Sequence, residues 1–96
     1  MKPNNLKVFE QEARKLMEEA IILLVQKRAD YGENALHGGQ LGIVVRMSDK
    51  LARLENLMGV SDGSFKMKNS NVKETVNDTV RDLINYGLLF LMEGKK

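Results

Sequence analysis

One segment near the C-terminus combines a row of acidic residues with an apolar run, and this combination constrains the fold most. Glu74, Asp78 and Asp82 recur every four residues, and Asn85 follows three positions later. On an α-helix this spacing stacks the side chains along one face, although like charges four residues apart destabilise an isolated helix. Residues 83–91 are apolar nearly all round, which is typical of a buried helix. We therefore expect the acidic row to look into a packed interior or a subunit interface, as a candidate metal site.

Length and composition exclude several classes of protein. The chain has 96 residues, the size of one domain with a modest core. It has no cysteine, which excludes disulfides and thiolate metal sites, and its one histidine, His37, excludes multi-histidine sites. A net charge of +2 and few aromatic residues give no strong signal for nucleic-acid binding. Because no signal peptide or membrane span is recognisable, we expect a cytoplasmic protein.

Hydrophobic spacing predicts three helices joined by polar, glycine-containing loops, so the predicted fold class is all-α. The helices are expected over residues 6–29, 40–58 and about 70–92. The predicted inward faces of the first two are Phe9, Ala13, Leu16, Ala20, Leu23 and Leu24, then Val44, Met47, Leu51, Leu54 and Met58. Such a small bundle buries little surface. We therefore expect a single domain, residues 1–96, that is completed as a homo-oligomer, a dimer or tetramer with the third helices near the interface.

The second predicted helix carries positive charges that complement the acidic row. Arg46, Lys50 and Arg53 share one face with Asp49. Arginine offers a planar fork for phosphate oxygens and lysine a point charge, so this face is a candidate phosphate site. Asp49 is a candidate fourth oxygen ligand for a cation. The alternative is a solvated face of i,i+3 and i,i+4 ion pairs, each worth about 0.3–0.5 kcal/mol.

The end of the first helix and the following loop offer a third group of candidate residues. Lys27 and Asn34 are candidates for contacts to phosphate or sugar, and Tyr31 for stacking on a base. The alternative is an ordinary helix C-cap, in which Gly32 adopts a positive φ and Tyr31 packs on the last turn. We expect His37 to be an exposed loop residue.

Together these blocks resemble the nucleotide modification associated domain family, small proteins that are frequent in phages and prophages. The resemblance spans roughly residues 27–91 and is carried by Lys27-x-x-Asp30-Tyr31-Gly32, Arg46-x-x-Asp49-Lys50-x-x-Arg53-Leu54-x-Asn56-Leu57 and Glu74-x-x-x-Asp78-Thr79-x-x-Asp82-Leu83-x-x-Tyr86. A more distant similarity is to the MazG-like all-α nucleoside triphosphate pyrophosphohydrolases, which hold Mg²⁺ with carboxylates from two helices. This chain departs from their pattern, because Ile21 and Ile22 stand where a further acid is expected and the later acids are four residues apart rather than three.

The resemblance implies a phage- or prophage-associated protein that processes a small-molecule nucleotide with Mg²⁺, as a phosphohydrolase or pyrophosphohydrolase. Glu74, Asp78 and Asp82 would then be catalytic and, with Asp49, would be the metal ligands. The nucleotide would be held by Lys27, Tyr31, Asn34, Arg46, Lys50 and Arg53. One alternative is a protein that binds a nucleotide without cleaving it, as a sensor or sponge for a nucleotide signal. Another is a helical interaction module, in which the acids and bases form ion pairs between helices.

Overall fold

The computed structural model describes residues 3–32, 38–59 and 70–96. These residues form three α-helices, α1 (Pro3–Tyr31), α2 (Gly39–Leu57) and α3 (Ser70–Glu93), and include no strand. The prediction of an all-α fold is therefore confirmed. Each predicted helix end agrees with the structure to within three residues. None of the described helices combines the length and the apolar character that a membrane span requires.

The chain divides into two compact units, Met1–Glu33 and Asn34–Lys96. The first unit holds α1, which ends where the N–H of Gly32 donates to the carbonyl of Arg28 at 2.8 Å. Gly32 has a φ of 67°, a left-handed conformation that glycine adopts without steric cost. This is the expected glycine C-cap. The side chain of Tyr31, which was predicted to pack on the last turn, lies outside the described part of the chain.

The second unit holds α2 and α3, which pack against each other. Gln40, near the start of α2, donates from Nε2 to the carbonyl of Phe90, near the end of α3, at 3.0 Å. Further along α2, Lys50 reaches back to Asp82, earlier in α3. The two helices are therefore antiparallel. Their shared core includes Ile43, which is fully buried.

The face of α2 that packs on α3 agrees only in part with the predicted one. Val44 and Leu51 were predicted to point inward, but both are exposed, and Ile43 is buried instead. The physical reason is that the apolar stripe of α2 is broad, with Ile43 and Val44 on its opposite edges, so the 3.6-residue period allows either edge to face inward. The contacts of Gln40 and Lys50 with α3 select the side that carries Ile43. Three other predicted inward residues are half-buried: Met47, Leu54 and Met58.

The predicted burial of α1 and of the end of α3 is only partly correct. In α1, Ala20 is fully buried, whereas Phe9 and Leu16 are exposed. In α3, residues 83–90 are buried or half-buried, but Leu91 is exposed. Helical spacing shows which residues share a face, but it does not show how far along the helix a neighbour covers that face. The exposed apolar side chains are compatible with oligomerisation, which stays a prediction.

Candidate functional site

An ion pair joins α2 to α3 at the centre of the candidate site. Lys50 Nζ lies 3.2 Å from Asp82 Oδ2. The Asp82 side chain is only 14% exposed and that of Lys50 is 33% exposed, so the pair is partly shielded from water. Shielding strengthens the attraction between two charges, and it also raises the cost of leaving either one without its partner. Of the predicted acidic and basic residues, these two are brought into direct contact.

Arg46 lies one turn before Lys50 on the same side of α2. Since Gln40 is level with Phe90 and Lys50 with Asp82, the antiparallel register sets Arg46 level with Asn85. Arg46 is half-buried, and its Nη1 atom is buried with no hydrogen-bond partner in the part of the chain that the structure describes. A buried cationic donor without an acceptor is costly, and an oxyanion at this position would satisfy it.

The facing side of α3 is polar at this level although its neighbours in sequence are apolar. Asn85 is 5% exposed. Thr79, also buried, donates from Oγ1 to the carbonyl of Thr75 at 2.8 Å, so its hydroxyl is satisfied within the helix. Buried polar side chains in an apolar segment cost free energy unless they have polar partners, and they often mark functional positions. We refer to Arg46, Lys50, Asp82 and Asn85 as the polar cluster.

The acidic row divides into a buried half and an exposed half. Asp82 and Asn85 belong to the polar cluster, but Glu74 is exposed. Asp78 is 63% exposed at its side chain, and its Oδ1 accepts a hydrogen bond from Arg81 Nη1 at 2.9 Å. Glu74 and Asp78 therefore do not look into the packed interior of this chain, because the covered part of this face begins about one turn later. The alternative that they face a subunit interface stays a prediction. Sequence reasoning missed Arg81, although its i,i+3 spacing from Asp78 favours this pair.

A metal centre made from the predicted ligands is not assembled in the described residues. Within residues 3–32, 38–59 and 70–96, no three or more Asp, Glu, His or Cys side chains are grouped so that they could hold a metal ion. Asp49 and Glu74 are both exposed. Of the four predicted metal ligands, Asp82 has the least exposed side chain, and its carboxylate forms an ion pair with Lys50. Mg²⁺ binding by Asp49, Glu74, Asp78 and Asp82 stays a prediction.

The other predicted nucleotide contacts are an exposed residue of α2, a residue of the other compact unit, and residues outside the described part of the chain. Arg53 lies on α2 about two turns beyond Arg46 and is exposed. Lys27 is exposed on α1, in the other compact unit. Asn34 and His37 lie outside the described residues, as does the side chain of Tyr31. The described part of the site is thus suited to a phosphate group, and the predicted contacts to a base or sugar stay predictions.

Comparisons with known proteins find no matching family model, no similar curated protein and no similar solved structure. The resemblance to the nucleotide modification associated domain family, and the more distant one to MazG-like enzymes, therefore stay predictions carried by the residues named above.

Proposed function

We propose that this chain binds a phosphate group of a small nucleotide between α2 and α3, with Arg46 and Lys50 as the phosphate-binding residues. The observation that carries the proposal is the buried Nη1 atom of Arg46, which has no hydrogen-bond acceptor among the described residues. A phosphate oxygen is the acceptor that suits this donor best, because guanidinium and phosphate match in both charge and geometry.

The charge balance of the polar cluster supports an anionic ligand. Asp82 offsets the charge of Lys50, and Asn85 is neutral, so Arg46 supplies the net positive charge. Lys50 is close enough to Arg46 along the helix to contact the same oxyanion, since one turn rises about 5.4 Å. Partial burial strengthens these contacts relative to contacts on an open surface. That the ligand also has a nucleoside part is inferred from the sequence resemblance.

The alternative is that the bound nucleotide is hydrolysed with Mg²⁺. It is favoured by the position of Asp82, whose carboxylate lies directly beside the phosphate-binding Lys50. Carboxylate oxygens suit Mg²⁺, which acts as a Lewis acid and activates water when it is bound. In this case Lys50 and Arg46 would neutralise charge on the phosphate, and Asp78, one turn away on the same face, would be the next candidate ligand.

The proposal is tested by titrating the full chain with inorganic phosphate and with nucleoside mono- and triphosphates, with and without Mg²⁺, by calorimetry and thermal shift. We expect binding by the wild-type chain and a loss of at least about tenfold in affinity in Arg46→Met, which corresponds to 1.4 kcal/mol. Arg14→Met is the matched control, because it removes the same charge from an exposed arginine that pairs with Glu10 on α1. Equal affinities in the two variants would refute a role for Arg46.

The same samples separate binding from catalysis when the products are followed by chromatography. Product formation that requires Mg²⁺ and is lost in Asp82→Asn would establish hydrolysis. Binding without product would support the sensor or sponge. If neither nucleotides nor Mg²⁺ raise the melting temperature, the phosphate proposal fails and the interaction module becomes the better hypothesis.

A further inference from the structure

We propose that the polar cluster selects a single phosphate group and disfavours a polyphosphate, with Asp82 as the residue that sets this specificity. This inference rests on the proposed function and adds the class of ligand. The part of α2 that is shielded from water carries fewer cations than the sequence predicts. Of the three cations predicted on α2, only Arg46 and Lys50 are half-buried, whereas Arg53 is exposed.

The carboxylate of Asp82 reduces the capacity of the cluster for negative charge. It lies 3.2 Å from Lys50 and is 14% exposed, so it is a fixed negative charge next to the phosphate-binding residues. Because Asp82 offsets Lys50, the net positive charge of the polar cluster is that of Arg46, and it offsets at least half of the charge of one phosphate group, which is about −1.5 to −2 as a monoester near pH 7. Each further phosphate group adds negative charge near Asp82, in surroundings that screen it less than water does.

On the neighbouring turn of α3, the side chain of Arg81 is 33% exposed, as that of Lys50 is, but Arg81 is already paired with Asp78. Toward the end of α3 the residues that follow Asn85 are apolar or neutral, from Tyr86 to Met92. On α2, the exposed Arg53 lies one turn from Asp49, which carries the opposite charge. The additional phosphate groups of a polyphosphate would therefore have to compete with Asp78 for Arg81 or bind exposed cations such as Arg53.

The test uses inorganic phosphate, pyrophosphate and tripolyphosphate, because these ligands differ in charge and do not depend on the identity of the base. Calorimetric titrations of the full chain are made in EDTA at about 0.15 M salt, where exposed charges are screened beyond about 8 Å. We expect phosphate to bind most tightly, pyrophosphate about tenfold more weakly and tripolyphosphate more weakly again. An ordinary basic surface would give the reverse order, since affinity then rises with ligand charge.

Two variants test whether Asp82 sets this order. Asp82→Asn keeps an oxygen that accepts from Lys50 and removes the charge, so the affinity for pyrophosphate relative to phosphate should rise about tenfold. The matched control is Glu93→Gln, which makes the same charge change at the far end of α3, where Glu93 pairs with Lys96 at 3.1 Å. In the control that ratio should change less than about twofold, in keeping with the small effect of surface charges.

The outcomes separate the inference from the proposed function. If none of the three ligands binds, both are overturned. If pyrophosphate or tripolyphosphate binds more tightly than phosphate to the wild-type chain, phosphate binding stands and the single-phosphate selectivity is overturned. An unchanged ratio in Asp82→Asn, in a variant whose helical circular dichroism matches the wild type, overturns the role of Asp82.

Discussion

Two ion pairs of α3 involve aspartates one turn apart, and they differ in where the partner comes from. Asp82 contacts Lys50 across the α2–α3 contact and is largely shielded from water. Asp78 contacts Arg81 on its own helix and is mostly exposed. The two aspartates are chemically identical and belong to the same predicted row. The neighbouring helix, rather than the spacing along α3, therefore decides how much each charge contributes to stability and to a site.

The largest effect is expected for Asp82→Ala, which removes the partner of Lys50 between the two helices. We expect the free energy of unfolding to fall by about 1–3 kcal/mol, below the 3–5 kcal/mol typical of fully buried pairs because Lys50 retains some contact with water. Urea unfolding followed by circular dichroism measures this loss. Adding Lys50→Met should recover part of it, since no charge is then left without a partner. A loss no larger than that of Asp78→Ala would contradict the comparison.

Arg46→Met extends the comparison to a half-buried arginine whose buried Nη1 atom has no hydrogen-bond partner among the described residues. Its removal should raise the free energy of unfolding by about 1 kcal/mol, because an unsatisfied buried donor is replaced by an apolar side chain of similar length. The same variant should lose phosphate binding, which would be a trade of function for stability. The exposed Arg14→Met should change stability by less than about 0.5 kcal/mol. A marked loss of stability in Arg46→Met would mean that Arg46 is structural.

The sequence predicts the parts of the fold that depend on local pattern. The bounds of the helices follow from the period of the apolar residues and from helix-ending residues such as Gly32, whose positive φ ends α1. The spacing of charged residues also predicts that Lys50 and Asp82 belong to faces of opposite charge, since each is part of a regular row on its own helix. Local pattern did not distinguish Asp82 from Asp78, because that difference depends on which turn of α3 lies against α2.

The inward face of α2 shows the same limit. Val44 and Ile43 are adjacent apolar residues on opposite edges of one stripe, and only packing against α3 decides that Ile43 is buried. The buried donor of Arg46 is likewise a property of tertiary structure, since sequence spacing places Arg46 and the exposed Arg53 on one face without telling them apart. The types of residue in the site can thus be predicted from the sequence. Which of them are buried depends on the register of α2 against α3.

Gly87→Ala tests whether a second copy of the chain packs against α3 at this position. Apart from its chain neighbours and the nearby backbone of α3, a Cβ at Gly87 would meet no atom of the described residues within 4 Å. We therefore expect a gain of about 0.5–1 kcal/mol in the free energy of unfolding, from the higher helix propensity of alanine. The earlier expectation that third helices meet in an oligomer gives the opposite sign if the contact includes this position. Gly94→Ala is the control, because its Cβ would lie 2.6 Å from Gln40 Nε2 and should displace that amide from Phe90.

The smallest effect is expected for the pair of Asp78 and Arg81. Its dependence on salt should distinguish it from the pair of Asp82 and Lys50. Asp78→Ala should lower the free energy of unfolding by less than about 0.5 kcal/mol, as is usual for an i,i+3 pair at the surface. In about 1 M salt the screening length falls to about 3 Å, so this contribution should vanish. The loss caused by Asp82→Ala should largely persist, because salt screens a shielded pair much less. If salt removed both effects equally, Asp82 would be solvated like Asp78, and the polar cluster would offer a phosphate no more than an ordinary charged surface does.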